Sequence, residues 1–255
     1  MHSNSLGPDF PLFDSLAEDT TVVVAEIYRA WTRTTPEELG LSLGWAPERT
    51  KAALEAAGKE GLLVLGKDEY WRRPVLFWTD LETTGLDENF NIVLEIGVVV
   101  TDIHLKELGA WSGVVSTEIN HYMSPRVVEM HTKNGLFEEV RSPKAMKREV
   151  LVEKLLQFMR QWAEEGAVLM CGSTIDFDRR FLNKHYPEIA KFFHYRSINV
   201  SSFREVAKLW KREVYETLPT KKDNQESTHR VLDDCRESIG QLKHYREHLL
   251  NLNAP

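Results

Sequence analysis

The chain has 255 residues, 42% of them apolar or aromatic, and a formal net charge of −7. That length fits one large domain or a large and a small one, and the acidic balance argues against a protein that coats long nucleic acid through many Lys and Arg contacts. No apolar run approaches the roughly 18 residues of a membrane span. The opening residues lack signal- and transit-peptide character, and Cys171 and Cys235 have neither disulfide-framework nor zinc-site spacing, so a cytoplasmic chain with no membrane partner is expected.

Before Pro74, the apolar positions in Val23 to Trp31, Pro36 to Leu43 and Pro47 to Leu54 have helical spacing, with Pro36 and Pro47 placed where prolines open helices. Leu62 to Leu65, the turn-like Gly66 to Asp68 and the pair Tyr70 and Trp71 read as a small hairpin. Three helices and a hairpin resemble a winged-helix domain over residues 1–74. Its third helix could enter a nucleic-acid groove. Residues 1–74 hold 12 acidic and 8 basic residues, a net of −4, and the third helix mixes Glu48, Arg49, Lys51, Glu55 and Lys59. Groove binding should show a basic face, so protein contact or support of the second domain stays open beside nucleic-acid contact.

From Val75 to the end the pattern is mixed. Val75 to Leu81, Val93 to Thr101 and Trp111 to Val115 read as strands, Arg148 to Trp162 as a helix and Ala167 to Cys171 as a strand. Helices are expected around Arg179 to Tyr186, Ser202 to Lys211 and His229 to Leu250. This order implies an α/β domain over 75–255, a central mixed sheet flanked by helices.

Strand alternation puts Asp80 and Glu82 on one face of the first strand, with Trp78 on their side and Leu81 opposed. Two converging carboxylates are tolerable with a cation between them, and such oxygen ligands suit Mg²⁺ or Mn²⁺; a solvated strand end before a turn is the other reading. Asp178 follows a strand and opens a helix, where it could ligate a metal or, like Asp176, only favour the helix start. Around the last helix, Val231, Cys235, Ile239, Leu242 and Leu249 make the buried stripe, with Asp234 at its flank and Asp233 turned to solvent. His229 lies at the entrance of that helix, where imidazole can serve as a base near neutral pH or merely as a polar cap.

Asp80-x-Glu82, Asp178, and His229 with Asp234 five positions later resemble the DEDD exonucleases of the histidine subtype. The longer strings DLETTGL from Asp80, HTKNGL from His131, DRRFL from Asp178, FHYR from Phe193, and DDCRES from Asp233 with YREH from Tyr245 are similar to the oligoribonuclease family. The likeness runs from about Leu76 to Leu250 and leaves the first 74 residues outside it. It implies a ribonuclease-H-like fold and hydrolysis of short single-stranded RNA from its 3′ end to nucleoside 5′-monophosphates. Two Mg²⁺ or Mn²⁺ would be held by Asp80, Glu82, Asp178 and Asp234, with His229 as general base. It further implies substrate contacts from Leu86 as a wedge among bases, His131 near the site, and Thr174, Ser201, Tyr195 and Arg196 around the 5′ end. In that family the Tyr-Arg pair comes from the second subunit of a homodimer.

The chain departs from the family pattern at Arg126, where relatives carry Trp, and at Thr174, Asp176, Phe177, Asn199 and Val231. Arg126 replaces a stacking surface with a charge, which bears on strict dinucleotide preference. Two other readings stand beside the short-RNA one: an exonuclease of longer RNA or single-stranded DNA gripped by the first domain, and a DNA-binding regulator with a non-catalytic nuclease fold. Retention of all five site residues argues against the last.

Overall fold

A computed structural model describes residues 17–30, 33–119, 121–218 and 229–250, and divides the chain into two compact units, Met1–Pro74 and Val75–Pro255. Trp31, the expected end of the first helix, lies outside the described residues.

In the first unit, helices α1 (Glu18–Ala30), α2 (Pro36–Leu43) and α3 (Pro47–Lys59) precede a two-stranded antiparallel ladder, β1 (Val64–Leu65) and β2 (Trp71–Arg72). Thr35 closes a capping box with Glu38, Pro36 occupies the first turn, and Gly44 ends α2 in the left-handed region at φ 69°. Helix α3 continues past the expected Leu54 because its second half is alanine-rich, which sustains a helix without apolar periodicity. Val23, Val24, Ile27, Leu54, Leu63 and Trp71 form its core.

The second unit is built on a five-stranded mixed sheet, order β5-β4-β3-β6-β7, from β3 (Val75–Thr83), β4 (Val93–Asp102), β5 (Glu107–Val114), β6 (Val168–Gly172) and β7 (Phe193–Asn199). Strands β3, β4 and β5 form an antiparallel meander, while β6 runs parallel to β3 and β7 parallel to β6. Helices α4 (Pro125–Lys133), α5 (Leu136–Val140) and α6 (Arg148–Met159) lie between β5 and β6 in the chain. Helices α7 (Ile175–His185) and α8 (Pro187–Ala190) precede β7, and α9 (Val200–Trp210), α10 (Arg212–Glu216) and α11 (Val231–His248) follow it.

Both faces of the sheet are covered, so β4 is buried at every position. One core gathers Phe77, Leu81, Leu151, Leu155 and Phe181. A second holds Trp78, Val99, Cys171, Cys235, Ile239 and Tyr245 beneath α11, and a third joins Leu94 and Val114 to Leu136, Phe137 and Val140 of α5. The expected mixed sheet flanked by helices is therefore present. Strand β7 was not legible from apolar alternation, because an edge strand of His194, Tyr195 and Arg196 presents polar and exposed side chains instead. Helix α4 has no buried apolar stripe for a similar reason, since His131 is its only buried residue.

Candidate active site

The site grows from the C-terminal end of β3. Phe77 and Leu81 face the α6 and α7 side, while Trp78 joins the core under α11, so Asp80 and Glu82 point towards α11 as alternation requires. In the β3–β4 ladder Asp80 stands opposite Gly97 and Glu82 opposite Glu95. A side chain at Gly97 would overlap Val231 at the start of α11. Glycine there lets the helix lie against the strand, and the Cys235 thiol donates to the Trp78 carbonyl at 3.3 Å. That seating brings Asp234 beside Asp80 and Glu82, with Asp233 exposed to solvent as the helical wheel predicts.

Asp178 arrives from the other side. Strand β6 pairs in parallel with β3 at Phe77–Met170 and Trp78–Cys171, and the chain then turns into α7, whose first turn carries Asp178. Gly172 allows this approach, because an added Cβ would stand 2.9 Å from the Thr79 carbonyl oxygen. Asp178 is buried and accepts a backbone hydrogen bond from Leu81, whereas Asp176 is exposed.

The electrostatics record the convergence. Burial, then Asp178, Asp234, Glu82 and Glu95 in that order, hold the Asp80 carboxyl well above the usual carboxylate range. Burial, Asp234 and Glu95 push Glu82 up to about 9, with Arg230 opposing them. Burial pushes Asp178 up to about 8. Such a crowd of acids is costly when ionised without a countercharge. Oxygen donors from Glu82 and Asp234 and a ring nitrogen of His229 lie within 4.8 Å of one another, a group that can hold a metal ion, and the carboxylate-rich donor set fits a hard divalent cation.

His229 is exposed and takes a left-handed backbone, φ 49°, an arrangement held by the Asn134 side-chain amide donating to its carbonyl at 2.6 Å. His131 is fully buried, with Nε2 2.9 Å from the Thr83 carbonyl and 3.9 Å from a Glu82 carboxylate oxygen, and its ring edge meets Phe137. Burial holds its pKa below the usual histidine range, so the neutral ring donates to Thr83 and braces the strand end behind Glu82.

The remaining residues expected to contact substrate lie on a loop, at helix starts and on β7. Leu86, 79% exposed, projects from a loop braced by Thr84, whose hydroxyl meets His121 at 2.7 Å and accepts the Ile92 N–H at 3.0 Å. Thr174, at φ 56°, and Ser201 come together: the Ser201 hydroxyl accepts the Thr174 N–H at 3.0 Å and meets its hydroxyl at 3.1 Å. Asn199 accepts both backbone N–H groups at 3.1 Å. Tyr195, 73% exposed, and Arg196 lie on β7 with the guanidinium over the ring. Arg179, next to Asp178, donates to the His194 carbonyl at 3.1 Å and so ties α7 to that strand.

Sequence reasoning missed Glu95, Arg230, Asn134 and Gly97. The signal for two of them was present: a glutamate and a glycine inside the run VLEIGVVVT have no place in a buried strand unless one is paired and the other marks a close approach.

The family model for exonucleases of the RNase T type matches residues 77–242, which places the chain among nucleases of the exonuclease class. An oligoribonuclease of Actinobacillus pleuropneumoniae is 38% identical over 180 residues, 69% of this chain and 95% of the relative. One of Haemophilus influenzae is 40% identical over 181 residues, 70% of this chain and 96% of the relative. The chain belongs to the oligoribonuclease family. Among solved structures, a zinc-bound E. coli exonuclease I complex with single-stranded DNA shares the fold at 14% identity and TM-score 0.55, covering 71% of this chain and 42% of the other. Exonuclease I of Methylocaldum szegediense does so at 16% identity and TM-score 0.52, covering 70% of this chain and 42% of the other. The 74 N-terminal residues lie outside the family match.

Proposed function

We propose that the chain is a 3′-to-5′ exoribonuclease that hydrolyses dinucleotides and slightly longer RNA to nucleoside 5′-monophosphates with two Mg²⁺ or Mn²⁺ ions. The observation that carries this reading is the convergence of Asp80, Glu82, Asp178 and Asp234 from β3, α7 and α11, recorded in the raised Asp80 carboxyl. These four would hold the metals. When bound, the ions would activate water and neutralise charge on the attacking and leaving oxygens of an in-line displacement. His229 accepts the proton of the attacking water, and its exposed position lets it pass that proton to solvent. Leu86 separates bases, His131 braces Glu82 and thereby the substrate end of β3, and Thr174 with Ser201 contacts the 5′ end. Tyr195 and Arg196 complete that end from the second subunit of a homodimer, an isologous arrangement in which each copy serves the other.

The first unit is read as winged-helix-like. Arg49 of α3 is held by both Asp19 oxygens, at 2.8 and 2.6 Å, and lies over Trp45, while Arg33 and Arg72 share Asp68. Arginines engaged in this way are less available to phosphates, which weakens the groove-binding reading. Among the described residues no helix is long and apolar enough to cross a membrane. The setting we propose is cytoplasmic.

The test is a length series. Purified protein with Mg²⁺ or Mn²⁺ should convert a 5′-labelled RNA dinucleotide to mononucleotide faster than it trims a 20-mer. Equal or better rates on the 20-mer would replace this reading with that of a longer-strand exonuclease.

A further inference from the structure

We infer that Arg230 is a positioning residue that builds the His229–Asp234 side of the metal site and keeps a fifth carboxylate, Glu95, off the metals. The inference rests on the two-metal reading above. Glu95 is 2% exposed and stands opposite Glu82 in the β3–β4 ladder. A buried glutamate so placed is itself a competent ligand for a hard cation.

Arg230 engages both of its oxygens. Nε and Nη2 donate to the two Glu95 oxygens at 2.9 Å each, and Nη1 and Nη2 donate to the two Glu139 oxygens at 2.8 and 3.0 Å. The planar guanidinium thus joins β4, α5 and the start of α11 in one clasp, a geometry that a lysine's point charge cannot reproduce. The same residue is the N-cap of α11, and its carbonyl accepts the N–H groups of Asp233 and Asp234 at 3.0 and 3.1 Å. His229 is its covalent neighbour. Anchoring Arg230 therefore fixes a proposed base on one side and a proposed ligand on the other, while Glu95 is spent on the clasp rather than on a metal.

The experiment compares wild type with Arg230→Lys and Glu95→Gln, by Mn²⁺ calorimetry and by steady-state hydrolysis of an RNA dinucleotide. Both variants should bind Mn²⁺ about 10- to 100-fold more weakly and lose a similar factor in kcat, as disrupted outer-layer partners of ligands do. KM for the dinucleotide should stay within about twofold, because the clasp does not touch substrate. Millimolar guanidinium should return part of the kcat of Arg230→Ala. Should Arg230→Lys lose its folded circular-dichroism spectrum, Glu95→Gln carries the same comparison. Wild-type Mn²⁺ affinity and kcat in a folded variant would overturn the proposal. A wild-type protein that binds Mn²⁺ and leaves the dinucleotide intact would instead overturn the short-RNA reading, with the affinity comparison still deciding the role of Arg230.

Discussion

The acidic end of β3 and the outer edge of the sheet are held in different ways. Asp80, Glu82, Asp178 and Asp234 come from elements whose register is fixed on both sheet faces, and glycines at 97 and 172 let those elements approach closely. Leu86, Tyr195 and Arg196 stand on a loop and an edge strand, mostly in solvent. Chemistry at phosphorus tolerates little misplacement of charge, whereas contacts to bases can adapt. The two regions should therefore fail differently when changed: the first in turnover and metal binding, the second in substrate affinity.

The largest expected effect lies in the acidic cluster. Asp80→Ala or Asp234→Ala should lower kcat by about four orders of magnitude or more while the far-ultraviolet spectrum is retained. Either variant keeping a tenth of wild-type turnover would mean that the carboxylate is not a ligand. Tyr195→Ala sharpens the contrast from the other side: loss of a stacking ring, about 1 to 3 kcal/mol per base, should raise KM for the dinucleotide roughly 10- to 100-fold. Its kcat and Mn²⁺ affinity should hold, and a fall in kcat with unchanged KM would break the division between the regions.

Gly97→Ala probes how tightly the cluster is built. The added methyl meets Val231, so urea denaturation should show a loss of about 1 to 3 kcal/mol. Unchanged stability would mean that α11 has room to shift. A separate effect concerns pH. In the metal-free protein Glu82 titrates near 9 against an ordinary 4.5, and Asp178 near 8 against 3.8. With folded values raised, the folded state binds more protons than the unfolded one, so stability falls as pH rises between those limits. In EDTA, Tm should drop from about pH 5 to about pH 9, and Mg²⁺ should flatten the curve, because metal binding requires the ionised acids. A Tm in EDTA that rises across this range would contradict the burial of these carboxylates.

Much of the cluster was legible because its logic is local. Alternation alone placed Asp80 with Glu82, and the helical wheel separated the half-buried Asp234 from the exposed Asp233. The meeting of three distant segments was not derivable that way, since it depends on β6 inserting parallel to β3 and on α11 lying over Gly97; there the resemblance to the oligoribonuclease family supplied what periodicity could not. Strand β7 hid behind polar side chains, as edge strands do. Arg230 passed as one more charged residue before a helix, because its importance comes from two glutamates 135 and 91 positions away.

The central claim is tested most directly by a crystal structure grown with Mn²⁺ and measured at the manganese absorption edge. Two anomalous peaks about 4 Å apart, ligated by Asp80, Glu82, Asp178 and Asp234 with the Arg230–Glu95 clasp intact, are the predicted result. Manganese bound elsewhere, or a cluster that stays empty at millimolar Mn²⁺, would contradict it.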